Sequence, residues 1–271
     1  MDREALIAAI RTRQSFLCVG LDSDLEKLPS SFSKDAAGML AFNKAIIAAT
    51  KAYCVAYKPN TAFYEVLGKE GWAVLEETIA AIPDTHFIIA DAKRGDIGNT
   101  SRQYAKAFFE GLQCDAVTVA PYMGEDSVAP FLQFPGKWAI VLALTSNAGS
   151  RDFQHLTDQK PFYQHVLAQS QKWGTPENLM YVVGATQAEA LSTIRGIVPD
   201  HFLLVPGIGA QGGRLEDVAR YGLNKDIGLL VNASRSILFA SQDDDFQEAA
   251  SHAAQEIQIK MRNLLEHHKL L

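Results

Sequence analysis

The 271-residue sequence has only three cysteines, Cys18, Cys54 and Cys114, widely separated and without a Cys-x-x-Cys pair. Each lies in or beside an apolar run, so a disulfide framework is excluded and buried, reduced thiols are expected. No stretch approaches the roughly 18 apolar residues needed to cross a bilayer. Met1-Asp2-Arg3-Glu4-Ala5-Leu6 lacks the charged-then-apolar pattern of a leader. A cytoplasmic protein with no membrane partner is expected. Basic charge is not in excess: 25 Lys and Arg stand against 31 Asp and Glu, a net charge of −6. That balance argues against nucleic acid as a partner, while leaving room for a local cationic pocket that takes an anionic metabolite. The seven histidines form no His-Glu-x-x-His, and neither Ser146 nor Ser234 sits in a Gly-x-Ser-x-Gly elbow. A metal site and acyl-transfer chemistry are therefore not expected.

What the sequence does have is regular. Hydrophobic residues make up 48% of it, and eight β-rich apolar runs recur at Phe16–Leu21, Cys54–Tyr57, Phe87–Ala90, Ala116–Ala120, Trp138–Leu144, Met180–Gly184, Phe202–Val205 and Gly228–Val231. Most are continuous rather than alternating, the pattern of parallel strands covered on both faces. Helical stretches such as Ala36–Thr50, Trp72–Ile82 and Thr100–Gly111 lie between them. Eight βα units in about 250 residues predict a (β/α)8 TIM barrel, with a doubly wound sheet as the alternative. No Pro/Gly/Ser-rich linker or low-complexity segment divides the chain, so one domain spanning 1–271 is expected. The longest excursion, Asn147–Leu179, carries a helix-like stretch at Phe162–Trp173 and should decorate the fifth connection.

Barrel chemistry gathers at the C-terminal ends of the strands. Here those ends read Leu21-Asp22, Lys58-Pro59-Asn60, Asp91-Ala92-Lys93, Thr145-Ser146-Asn147, Pro206-Gly207-Ile208-Gly209 and Asn232-Ala233-Ser234-Arg235. Any one of these charges could cap a helix or sit in a surface pair. Four of alternating sign at the first three strand ends argue against chance. In an extended strand Asp91 and Lys93 share a face and lie within ion-pair reach, whereas Asp96 falls on the loop beyond. Pro59 keeps Lys58 extended.

The segment Gly207-Ile208-Gly209-Ala210-Gln211-Gly212 contains a formal Gly-x-Gly-x-x-Gly. It follows the seventh strand of eight and no acidic residue ends the next strand, so the dinucleotide reading fails. A phosphate cradle of backbone amides, completed by a bidentate contact from Arg235, fits its position better.

The segment Asp91-x-Lys93-x-x-Asp96-Ile97-x-x-Thr100, with Leu21-Asp22, Lys58-Pro59-Asn60, Pro206-Gly207-Ile208-Gly209-Ala210-Gln211 and Ser234-Arg235-Ser236, resembles the orotidine 5'-phosphate decarboxylase family, in particular its longer bacterial form. The resemblance runs from Asp22 to Arg235 and implies a carboxy-lyase that converts orotidine 5'-phosphate to UMP, the last step of de novo pyrimidine nucleotide synthesis, without metal or cofactor. It implies that Lys93 protonates C6, that Asp91 stands beside the departing carboxylate, and that Lys58 and Asp22 hold the ribose hydroxyls. Ser146 would contact the pyrimidine, and Pro206, Gly209, Gln211 and Arg235 would surround the phosphate. Asp96 and Thr100 would reach into the partner's site in a homodimer.

The residue types suit that reaction. Loss of CO2 from C6 leaves a vinylic carbanion that cannot delocalise into the ring, so stabilisation must come from placed charge and a ready proton, and an ammonium supplies both. Two rival readings are a magnesium-dependent sugar-phosphate aldolase or decarboxylase of the same superfamily and a non-catalytic sensor of phosphorylated ligands. Lys58 argues against the first, because a cation at the second strand end would repel Mg2+.

Overall fold

A computed structural model describes residues 1–208 and 212–271, and at 187 and 188 the backbone alone. Eight parallel strands close into a barrel in sequence order: β1 Leu17–Leu21, β2 Ala56–Pro59, β3 Phe87–Arg94, β4 Ala116–Val119, β5 Trp138–Leu144, β6 Leu179–Val183, β7 Leu203–Pro206 and β8 Leu229–Ala233. The ring is sealed by β1 against β8, with Leu17 opposite Val231 and Cys18 opposite Asn232. Closure rules out the doubly wound alternative. Each expected apolar run forms a strand because side chains on both faces are buried, inside the barrel on one and under the helices on the other.

Three strands depart from their expected limits in ways that matter. β2 starts at Ala56 and runs on through Pro59, so Lys58 is held within the sheet. β3 continues past Ala90 to Arg94, and its register against β4 shifts between Ala90, opposite Val117, and Arg94, opposite Val119. Lys93 there has φ 47°, a left-handed backbone that breaks the simple alternation expected of an extended strand. β7 reaches Pro206, placing that residue at the strand end.

The helices between strands follow the apolar periodicity. Ala36–Thr50 is helical as expected, started by the Asp35 carboxylate accepting from Gly38 N. The next two begin earlier than expected, at Gly68–Ala80 and Gly98–Lys106, the latter ending in a wide turn over Ala107–Gly111. In the fifth connection the helix covers Phe162–Ser170 and not Trp173: Trp173 N donates to Ser170 O in a closing turn, and Gly174 and Pro176 follow.

At the N-terminal mouth, Phe87, Trp138 and Phe202 pack edge to face, with ring centroids 6.1 and 6.5 Å apart, and are fully buried. This aromatic plug seals one end. The three cysteines are free and buried; burial pushes the Cys54 and Cys114 thiols up to about 12 and raises Cys18 further. No described helix is long and apolar enough to cross a membrane.

Candidate active site

At the open, C-terminal mouth a cavity of about 280 Å3 is lined by Asp22, Lys58, Asp91, Lys93, Ser146, Pro206 and Arg235 from six strand ends. Its centre is the Asp91 carboxylate. Oδ2 accepts from Lys58 Nζ at 2.7 Å and Oδ1 accepts from Lys93 Nζ at 2.6 Å, so one carboxylate is shared by two ammonium groups. Asp22 Oδ1 stands 3.8 Å from Lys58 Nζ and is buried without a hydrogen-bond partner among the described residues.

Burial opposes charge at both Lys58 and Asp91, and in each case the opposite charges outweigh it. Desolvation would push the Asp91 carboxyl up, but Lys58 and then Lys93, by field and hydrogen bond, hold it well below the usual carboxylate range. Desolvation would likewise lower Lys58, which is 3% exposed, yet Asp91 and Asp22 raise it above the ordinary ammonium value. Both groups are therefore charged at neutral pH. Lys93 differs, with half of its side chain open to the cavity.

Fixed charge at the mouth is supported by a residue outside the strand-end pattern. Thr118, in the middle of β4, donates from Oγ1 to Asp91 Oδ1 at 3.0 Å and accepts from Lys93 N at 2.9 Å. A threonine inside Ala116-Val117-Thr118-Val119 is the one polar side chain of an otherwise apolar strand, and that was the available signal. Asn232, part of the eighth strand end but without an expected role, also lines the cavity: its Nδ2 donates to Ser234 Oγ at 3.1 Å, while its buried Oδ1 has no partner among the described residues. Leu142, Val182 and Leu204 form an apolar wall that interior strand positions cannot announce in sequence.

Across the cavity from Lys93, Pro206, Gly207 and Ile208 face Ser234, Arg235 and Ser236. Arg235 is exposed and makes no ion pair among the described residues, so its guanidinium is available to an anion. Gly20 permits this turn to close: a Cβ there would lie 1.9 Å from Ser234 Oγ. The expected phosphate contacts Gly209 and Gln211 lie outside the described residues. On the β5 side, the insertion reaches back to the mouth, because Gln154 Oε1 accepts from Thr145 N at 2.7 Å next to Ser146.

Asp96 and Thr100 are not brought to this cavity within the chain. Asp96 Oδ1 accepts from Ile97 N at 2.8 Å, and Thr100 is exposed on the helix that follows. The loop is nevertheless held by Ser101, whose Oγ lies 2.7 Å from Asp96 O and 3.0 Å from Ser127 O and shares its one proton between them. Beside it lie exposed Ile97, Met123 and Tyr122, the last 84% accessible. Among the described residues, no three His, Cys, Asp or Glu side chains come together as a metal-ligand set.

The chain has known relatives. The family model for orotidine 5'-phosphate decarboxylase / HUMPS matches residues 15–251. The orotidine 5'-phosphate decarboxylase of Phocaeicola vulgatus is 55% identical over 270 residues, covering 98% of this chain and 99% of that protein. The structure of Leishmania donovani OMP decarboxylase is 38% identical with a TM-score of 0.83, covering 97% of this chain and 99% of that one. Leishmania donovani UMP synthase is 40% identical with a TM-score of 0.82, over 94% of this chain but 56% of the longer protein. Barrel, motif and relatives agree, and the chain belongs to the orotidine 5'-phosphate decarboxylase / HUMPS family.

Proposed function

We propose that this chain decarboxylates orotidine 5'-phosphate to UMP, the last step of de novo UMP synthesis, with Lys93 delivering the proton to C6. The observation that carries this reading is the Asp91 carboxylate fixed between Lys58 and Lys93 at the mouth of a cavity whose opposite side holds Arg235. The C6–carboxylate bond breaks, its electron pair stays on C6, CO2 leaves, and the Lys93 ammonium transfers its proton to that carbon. No other electron acceptor is required.

Charge placement accounts for a large share of the work. At about 4 Å and an effective dielectric near 20, a unit charge pair is worth roughly 4 kcal/mol. An ammonium already aimed at C6 needs no reorganisation when the carbanion forms. A substrate carboxylate beside Asp91 is repelled, and departure of CO2 relieves the repulsion. Arg235 and the glycine segment bind the remote phosphate, supplying the binding energy that holds the reacting end against that repulsion. Asp22, which lines the cavity with its Oδ1 3.8 Å from Lys58 Nζ, is suited to hold a ribose hydroxyl, and Ser146 to contact the pyrimidine.

The reading extends to a cytoplasmic homodimer of single-domain chains, in which Asp96 and Thr100 complete the neighbour's site. The exposed Asp96 loop, flanked by apolar Ile97, Met123 and Tyr122, is the surface such a partner would cover. Incubating the purified protein with orotidine 5'-phosphate and following the ultraviolet absorbance of the pyrimidine tests the function directly. Turnover should persist after exhaustive chelation. Absence of turnover would reject the reading, and loss in EDTA restored by Mg2+ would favour the aldolase-like rival.

A further inference from the structure

We propose that the Thr118 hydroxyl is a positioning group for Lys93 and Asp91, locking the bulge of β3 that presents the ammonium to the cavity. The inference rests on the decarboxylase reading for its chemistry, but its structural part stands alone.

Between Ala90, opposite Val117, and Arg94, opposite Val119, three residues of β3 face the single residue Thr118. On the β4 side the regular register is lost there: Asp91 O is taken by Thr61 N at 3.3 Å in the bridge to β2, and Lys93 N donates to the Thr118 side chain. A left-handed φ of 47° at a non-glycine residue persists only where its surroundings determine it, and Thr118 Oγ1 is the group that holds the Lys93 amide.

The direction of both bonds is fixed. An amide can only donate, so the hydroxyl oxygen accepts from Lys93 N. An ionised carboxylate can only accept, so the hydroxyl proton points to Asp91 Oδ1. Thr118, itself 1% exposed, thereby joins the backbone that carries the ammonium to the carboxylate that the ammonium bonds. When Lys93 gives up its proton it becomes a neutral amine, and Asp91 Oδ1 loses a cationic partner. The neutral donor from Thr118 does not change in that step. It keeps the carboxylate in place while the charge beside it disappears.

Thr118→Val removes the hydroxyl at nearly constant shape, and Thr118→Ser keeps it. With orotidine 5'-phosphate as substrate, the valine variant should lose about 10²-fold in kcat, the scale of a misplacement near 1 Å. KM should stay close to wild type, because the phosphate contacts lie across the cavity. The serine variant should recover most of kcat. In parallel, amide hydrogen exchange at Lys93 should be slow in wild type and the serine variant and fast in the valine variant. Wild-type kcat in the valine variant, a serine variant as impaired as valine, or a loss confined to KM would each overturn the proposal. Should the valine variant not fold, Thr118→Cys decides: its weakly bonding thiol should lower kcat at unchanged KM, and wild-type kcat there would overturn the idea. A wild-type protein inert toward orotidine 5'-phosphate would reject the decarboxylase reading instead, and the exchange measurement would still decide whether Thr118 holds the bulge.

Discussion

Lys58 Nζ and Asp91 Oδ2 are 2.7 Å apart at adjacent strand ends, both side chains are buried, and each holds the other in its charged form. Removing Lys58 leaves the buried carboxylate with Lys93 as its remaining cation, at 2.6 Å, so the cost is a part of the about 3–5 kcal/mol of a wholly uncompensated buried charge. Lys58→Met should therefore lower the thermal midpoint by several degrees as well as abolish turnover, and a calorimetric scan beside an activity assay checks both.

The same pair sets a pH window. The folded Asp91 carboxyl lies below its unfolded value of 3.8, so its stabilisation is complete above that value and is lost as pH falls through the lower, folded one. The folded Lys58 ammonium lies above its unfolded value of 10.5, so its contribution is complete below that value and is lost as pH rises through the higher one. Unfolding free energy from denaturant titrations should lack any contribution from this pair to its pH dependence between these limits. Asp91→Asn should flatten part of the acid-side decline, and an unchanged acid limb would contradict the assignment.

Arg235→Ala should discriminate between substrates. A hydrogen bond to a charged group is worth about 1.5–3 kcal/mol, so affinity for orotidine 5'-phosphate should fall roughly 10- to 100-fold. Handling of orotidine, which lacks the phosphate, should change little. Steady-state kinetics on both compounds settles the role, and equal damage to both would remove Arg235 from the phosphate site.

Gly20→Ala should act at the same place from behind. Its Cβ would meet Ser234 Oγ at 1.9 Å and Ser234 Cβ at 3.0 Å, so the Ser234 hydroxyl must rotate away and the turn bearing Arg235 is pushed at its Cβ. Overpacking of this kind costs about 1–3 kcal/mol. A rise in KM for the phosphorylated substrate with a modest drop in melting temperature is the expected outcome, and unchanged KM would show that the turn absorbs the methyl group.

The proposed homodimer with its shared site can be tested by complementation. Lys93→Ala and Asp96→Asn variants, each expected to be inactive, are unfolded together in equal amounts and reassembled. About half the dimers are then hybrids with one doubly damaged and one intact site, so roughly a quarter of wild-type activity should return. Activity near zero, with hybrids shown to form, would mean that Asp96 serves its own chain.

The strands were legible because burial on both faces writes continuous apolar runs, and the charged mouth because Asp22, Lys58, Asp91 and Lys93 interrupt those runs at their ends. The bulge was not. A left-handed residue is signalled in sequence by Gly or Asn, and β3 places Lys93 there, held by a tertiary contact to Thr118 that local pattern does not encode. Thr118 itself was hidden by its position inside a strand rather than at its end. The link from Gln154 to Thr145 spans an insertion whose composition gives no hint of what it touches.

The three buried thiols have a practical meaning apart from chemistry at the mouth. Cys18, Cys54 and Cys114 are distributed from β1 to the start of β4, and burial keeps each in its unreactive protonated form. An alkylating reagent can reach them only when the barrel opens. At reagent concentrations where labelling outpaces reclosing, the rate at which native protein takes up label therefore times barrel opening from within, with no probe introduced and no group of the reaction site consumed.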